Sequence, residues 1–144
     1  MPELRERFEE FFAEVWGAED EAAIAKWMLS DVEAEGVLPK RVVGPKEFAQ
    51  FHRAILAAFT DVRLEVEHSI ETAEWVALYG QIHLTVRSSG QAAAMPAQMM
   101  MKFVEGRLAI GQNALDFMSL FQDTGALPPE ALWHLLGGGS LHKK

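Results

Sequence analysis

The sequence contains no cysteine, only one tyrosine and no long uninterrupted apolar run. Without cysteine the chain cannot form a disulfide scaffold, a thiolate zinc site or a cysteine nucleophile. A membrane-spanning helix needs about 20 consecutive apolar residues, and no segment reaches that length. The N-terminus also lacks the apolar core of a secretory signal. These absences predict a cytoplasmic protein without a membrane partner.

Basic residues are scarce as well. The 13 Lys and Arg residues stand against 21 Asp and Glu residues, which gives a formal net charge of −8. Such a chain repels phosphate backbones, so no nucleic acid partner is expected. The five histidines lack metal-ligand spacing, and no phosphate loop, dinucleotide fingerprint or Gly-x-Ser-x-Gly elbow is present. The sequence therefore predicts neither a metal nor a cofactor.

Apolar residues make up 49% of the 144 residues, a proportion typical of a globular domain. That length predicts one domain with a single core, over residues 1–136. The glycine-rich residues 137–144 are predicted to form a flexible tail.

Three helices are predicted in the first 60 residues. Apolar residues recur at helical spacing over residues 4–16, and the pattern ends before Gly17. Asp20 is placed to cap a second, short helix. Pro45 opens a third helix, whose apolar side extends to Phe59. Residues 32–37, between the second and third helices, are predicted to be extended.

Beyond residue 61 the apolar period falls to two, which indicates strands with one buried face. Short turns join these strands, so they are expected to pair as an antiparallel meander. Pro96 predicts a bulge or an edge position within the third strand. The whole chain thus predicts an α+β fold, with three N-terminal helices packed on a curved, mainly antiparallel sheet and a short C-terminal helix. The predicted strands cover residues 62–70, 75–87, 91–103 and 108–113, and the last helix covers residues 129–136.

Two groups of side chains on these strands are candidates for binding. Tyr79 and His83 share one face of the second strand, where His83 could serve as a general base near pH 7. On an outer face the same residues would form a dimer contact or a solvated surface, so the choice depends on which face is concave. Methionines on the third strand either fill the core or adapt to a flat apolar ligand. With residues from the helices, they would form an almost wholly apolar cavity lined by Trp27, Phe51, Ile55, Met99 and Met101.

The order of the predicted elements and several local strings resemble the SnoaL-like polyketide cyclase family, within the nuclear-transport-factor-2-like superfamily. The resemblance extends from Phe8 to Pro128 and implies a cone-shaped domain that dimerises through its sheet. It also implies a ring closure by intramolecular aldol condensation without metal or cofactor. The strings are Phe11-Phe-Ala-Glu-Val-Trp16, Gly44-Pro-Lys-Glu-Phe48, Ala58-Phe-Thr-Asp61, Glu105-Gly-Arg-Leu108 and Asn113-Ala-Leu-Asp116.

The resemblance also implies where catalytic groups would lie. The position of the cyclase base, an Asp in the family, is Asn113 here, and the second Asp of the pattern is Asp116. The family's His on the preceding strand corresponds to Met99. An amide does not accept a proton near neutral pH, so Asn113 would orient a ligand or satisfy buried backbone groups. Asp116 is a catalytic candidate or, alternatively, a helix N-cap.

Near the expected pocket mouth, Glu33 and Glu35 are paired carboxylates that could hold one raised pKa or form solvated surface. Two functions therefore stay open. One is a cofactor-independent acid–base enzyme, of the cyclase, isomerase or hydrolase-like kind, acting on a small apolar or polyketide-like molecule. The other is a non-catalytic domain that binds a small molecule or forms a dimeric interaction surface.

Overall fold

The computed structural model describes residues 3–142, so the last two residues of the predicted tail, Lys143 and Lys144, lie outside the described residues. Three helices precede the main part of the sheet: α1 (Leu4–Phe12), α2 (Ala23–Trp27) and α3 (Gly44–Ala58). Helix α1 continues into one π-helical turn, Ala13–Gly17. The helical prediction for residues 4–16 is therefore confirmed.

The start of α2 differs from the prediction. Its N-cap is Ala22, and no side chain caps the helix. Asp20 instead contributes its backbone carbonyl, which accepts a hydrogen bond from the Ala23 N–H at 3.2 Å. The predicted side-chain cap at Asp20 was wrong because the helix begins two residues later than a capping Asp20 requires. The end of α3 also differs, since Phe59 is the first residue of the following strand.

Six strands form one sheet with the order β2-β1-β6-β5-β4-β3. All neighbours are antiparallel except β1 and β6, which run parallel. The four-strand meander is confirmed, and the segment between α2 and α3 adds two further strands, of which the second lies at the edge of the sheet. The strands are β1 (Met28–Glu35), β2 (Val42–Val43), β3 (Phe59–Glu71), β4 (Trp75–Val86), β5 (Ala92–Val104) and β6 (Arg107–Leu115).

Pro96 lies inside β5 without a bulge, because the β4–β5 register is unbroken from Trp75↔Lys102 to Thr85↔Ala92. Its carbonyl accepts from Asp116 N–H, so the backbone of Pro96 faces the β6 side of the strand. The last residue of β5 that pairs with β6 is Ala97, opposite Leu115, so Pro96 lies just beyond this pairing. The missing N–H falls where pairing with β6 stops, so β5 accommodates the proline without the predicted bulge.

The helices cover one face of the sheet, and the core lies between the helices and that face. Along β4 the residues alternate between buried and half-buried, with Val76, Leu78, Ile82 and Leu84 pointing to the core. Two short helices follow the sheet, α4 (Phe117–Thr124) and α5 (Ala131–Leu136). The α+β fold class is confirmed. None of the helices between residues 3 and 142 is long and apolar enough to cross a membrane.

Candidate functional site

An apolar cavity of about 90 Å³ lies between the inner face of the sheet and the helices. Its wall is formed by residues of α1, the π-helical turn, α3, all of the longer strands and α4. Of the predicted cavity residues, Phe51, Ile55, Met99 and Met101 line it. The other lining residues are Phe8, Phe11, Phe12, Trp16, Met28, Val32, Ala34, Val37, Phe48, Phe59, Val62, Ile82, Leu84, Met95, Leu108, Gly111, Asn113, Leu115, Phe117 and Leu120.

The helical side of the cavity is aromatic. Phe8, Phe11 and Phe12 recur at i, i+3 and i+4, so a single face of α1 presents all three rings. The ring of Trp16 then makes edge contacts with Phe51 at a centroid distance of 5.8 Å. These contacts fix the wall opposite the sheet as a packed aromatic layer.

His52 holds the π-helical turn in place, a role that sequence reasoning missed. Its Nε2 lies 2.6 Å from the carbonyl oxygen of Val15, within that turn. The imidazole is only 1% exposed and packs on Trp16 at a centroid distance of 4.8 Å. Carbonyl groups at a helix end lack intrahelical donors. His52 supplies the missing donor to one of these carbonyls and orients Trp16 toward the cavity.

The sheet side of the cavity is built on β5 and β6. Alternation along β5 turns Met95, Met99 and Met101 inward, and each is at most 5% exposed. Met99 is paired with Asn113 across the strands, so the two positions highlighted by the family resemblance are direct neighbours. Both lie on the cavity wall.

Asn113 is the one amide among the lining residues. Its Nδ2 donates a hydrogen bond of 2.9 Å to the backbone carbonyl of Glu35, at the end of β1. Apart from the indole N–H of Trp16, the Asn113 amide supplies the only polar side-chain atoms on this wall. The amide therefore both ties β1 to β6 and gives the cavity its main polar point.

Gly36 makes this close approach possible. It follows β1 with a φ of +83°, and a Cβ at this position would collide with the carbonyl oxygen of Asn113. Only glycine fits a backbone with that conformation and that neighbour.

The polar group on β4 faces away from the cavity. Tyr79 and His83 lie on the opposite side of the sheet from Leu78 and Ile82, because successive side chains point to opposite faces. His83 Nε2 lies 3.5 Å from Glu65 Oε1 on that outer surface. Neither residue can transfer a proton within the cavity.

Glu35 also lies outside the cavity lining. Its backbone meets Asn113, while its carboxylate pairs with Arg41 at 3.2 Å on the surface. Arg41 lies 3.6 Å from Glu33 as well, so one guanidinium pairs with both carboxylates on the surface.

Trp27 is buried but anchors the helices instead of lining the cavity. Its indole Nε1 donates to the Glu14 carboxylate at 2.9 Å, and its ring lies at 6.1 Å from Phe11. Lys26 and Arg7 lie over its ring. The hydrogen bond from Lys26, with that from Trp27, lowers the pKa of Glu14 below its ordinary value. This ionised carboxylate therefore belongs to the packing of the π-helical turn against α2.

Asp116 is the N-cap of α4, as one of the two interpretations of the sequence predicted. Its carboxylate accepts from the Ser119 backbone N–H at 2.9 Å and from the Ser119 hydroxyl at 2.6 Å. It does not belong to the cavity lining. The helix that it starts closes the cavity with Phe117 and Leu120, two lining residues that were not among the sequence candidates.

The chemistry available inside the cavity is limited. Among residues 3–142, no carboxylate, imidazole or cation belongs to its lining. Residues 3–142 contain no group of three or more His, Cys, Asp or Glu side chains that could hold a metal ion. The arrangement can bind and orient an apolar molecule, but its lining offers no group that exchanges protons near neutral pH.

Solved structures with similar folds include a SnoaL-like polyketide cyclase from Agrobacterium tumefaciens, with 15% sequence identity and a TM-score of 0.70; the match covers 87% of this chain and 100% of that one. TsrD from Streptomyces laurentii is 14% identical with a TM-score of 0.71, over 86% of this chain and 96% of TsrD. A Catenulispora acidiphila protein with a ketosteroid isomerase-like fold, crystallised with trimethylamine, is 11% identical with a TM-score of 0.69, over 81% and 90% of the two chains.

At these identities the likeness establishes the fold alone. No curated protein matches the sequence closely enough to indicate a relative. The family model described as the SnoaL-like domain matches residues 8–110, well over half of the chain. This protein therefore belongs to the SnoaL-like domain family.

Proposed function

We propose that this SnoaL-like domain binds a small, neutral, apolar or polyketide-like molecule in its interior cavity and does not catalyse acid–base chemistry there. One observation carries the proposal. The lining is apolar except for Asn113 and the Trp16 indole, with no carboxylate or imidazole. An aldol-type cyclisation needs a proton acceptor near the reacting carbon, and an amide is not one near neutral pH.

The cavity also limits the charge and the size of its ligand. A charged group buried without a partner is strongly disfavoured, and no cation or anion lines this wall. Drug-sized ligands occupy pockets of about 300–1,000 Å³, so a polyketide-like ligand must displace side chains from a cavity of about 90 Å³. Methionine side chains adapt to such changes with little strain.

The proposal is tested by thermal unfolding with naphthalene and with 2-naphthoate, a pair that differs by a carboxylate. Naphthalene is expected to raise the melting temperature, because a ligand that binds only the folded state stabilises it. The anion is expected to have no effect. Met99→Gln should abolish the shift, since it places an amide on the cavity wall.

Met100→Gln is the matched control, because Met100 is the next residue on β5, points to the outer face and is 39% exposed. It should leave the naphthalene shift unchanged. The proposal fails if naphthalene has no effect on the wild-type protein, or if Met100→Gln reduces the shift as much as Met99→Gln. Acid–base turnover of a ketone substrate by the wild-type protein would contradict the non-catalytic part.

We further propose that the outer face of the sheet forms a homodimer interface. Support comes from a row of uncharged residues across three strands, Ile70, Ala77 and Met100, which pair in register. Ile70 is 77% exposed within this uncharged row, and contiguous exposed apolar surface marks interaction sites. Beside this row Tyr79 and Gln98 supply groups that hydrogen-bond without carrying charge, as interface cores favour.

Ile70→Glu is expected to convert the dimer to a monomer in analytical ultracentrifugation, because it buries two charges at the two-fold interface. Leu136→Glu is the control, since Leu136 is 69% exposed but lies on α5. The proposal is overturned by a monomeric wild-type protein or by equal dissociation of both variants.

A further inference from the structure

We infer that the ligand of the cavity carries a hydrogen-bond donor, a hydroxyl or an N–H, that bonds to Oδ1 of Asn113. This inference rests on the proposed binding function and adds the polarity of the ligand. It separates apolar alcohols, phenols and indole-like molecules from ketones, ethers and pure hydrocarbons of the same shape.

The orientation of the Asn113 amide follows from its partner. The backbone carbonyl of Glu35 can only accept a hydrogen bond, so the atom 2.9 Å away must be the amide nitrogen. Oδ1 consequently points away from β1. No residue between 3 and 142 donates a hydrogen bond to it, so the oxygen is an unused acceptor on the cavity side chain.

The surroundings make that acceptor selective. The rest of the lining is apolar and no protein group donates to Oδ1 among residues 3–142, so a ligand that brings a donor gains a hydrogen bond that an isosteric ligand without one cannot form. A ligand that has only a hydrogen-bond acceptor would place that acceptor against Oδ1, which is itself an acceptor, and the two groups would repel each other. The Trp16 indole is the other polar group on the wall and is itself a donor, so it favours the opposite ligand polarity.

Three neutral bicyclic molecules of similar shape distinguish these possibilities. Indole offers an N–H donor, benzofuran offers only an acceptor, and indene offers neither. Isothermal titration of the wild-type protein should give an affinity for indole about tenfold above that for indene, the value of one net hydrogen bond. Benzofuran should bind no better than indene.

Two variants of Asn113 test whether this residue causes the preference for indole over indene. Asn113→Leu should bring indole and indene to within about twofold of each other, because it removes the acceptor. Asn113→Asp should keep the preference for indole, since it retains an oxygen acceptor and tests the inference even if the Leu variant is unfolded. Gln112→Leu is the matched control: this exposed amide on the outer face of β6 is the preceding residue, and its loss should leave the tenfold ratio intact.

The outcomes separate the two proposals. If indene, benzofuran and indole bind equally, the polarity inference is overturned while the cavity stands as a binding site. Tighter binding of benzofuran than of indole would also overturn it and would assign the polarity to Trp16. If none of the three binds, both the inference and the proposed function fail.

Discussion

Gly36→Ala is expected to cause a large loss of stability for the addition of a single methyl group. The new Cβ would meet the carbonyl oxygen of Asn113, and the backbone at this position has a φ of +83°. Left-handed backbone costs a non-glycine residue about 1–2 kcal/mol, and an overpacked contact costs about 1–3 kcal/mol more. Chemical denaturation should therefore show a decrease of about 2–5 kcal/mol in the free energy of unfolding.

Gly90→Ala separates the two causes. Gly90 has a similar φ of +74°, but a Cβ there would have nothing within 4 Å. This variant should lose only the conformational part, about 1–2 kcal/mol. Equal losses for the two variants would show that the contact between Gly36 and Asn113 does not limit how closely β1 approaches β6.

Leu120→Ala is expected to produce the second large effect. Leu120 is fully buried although α4 has only eight residues, and its side chain forms part of the cavity wall. Removing a fully buried leucine side chain costs about 2–5 kcal/mol, because transfer energy is lost and the cavity grows. The measurement is the midpoint and slope of urea unfolding.

Leu132→Ala provides the comparison, since Leu132 lies on α5 and is 44% exposed. A surface substitution of this kind should change stability by no more than about 0.5 kcal/mol. Naphthalene should also recover more stability for Leu120→Ala than for the wild-type protein, because the enlarged space is apolar. A small loss for Leu120→Ala, equal to that for Leu132→Ala, would show that α4 does not close the core.

Much of the fold could be predicted because the long elements carry a strong period. The alternation of β4 and the helical spacing of α1 each repeat over several turns or pairs, so local sequence determines which side is buried. The sheet edge made of β1 and β2 was harder to predict. Val42–Val43 is too short to show a period, and a parallel β1–β6 pairing depends on contacts far apart in the sequence.

The site was predictable only in part. Period two placed Tyr79 and His83 on one face of their strand, but it does not state which face of the sheet the helices cover. The orientation of Trp16 depends on a π-helical turn and on His52, a partner 37 residues away from Val15 in the chain. Nothing in the local sequence marks such a turn. The orientation of Trp16 is therefore determined by a tertiary hydrogen bond and not by local helix propensity.

The bond from Asn113 to Glu35 joins two points 78 residues apart in the chain. All four strands of the meander can pair through local turns, whereas the β1–β6 junction must wait for this long loop to close, which is entropically costly. The cavity wall is thus completed by the most non-local pairing in the sheet. A fragment that holds the meander alone would have the strands of the cavity wall without an enclosed volume, so the cavity requires the chain from α1 to α4.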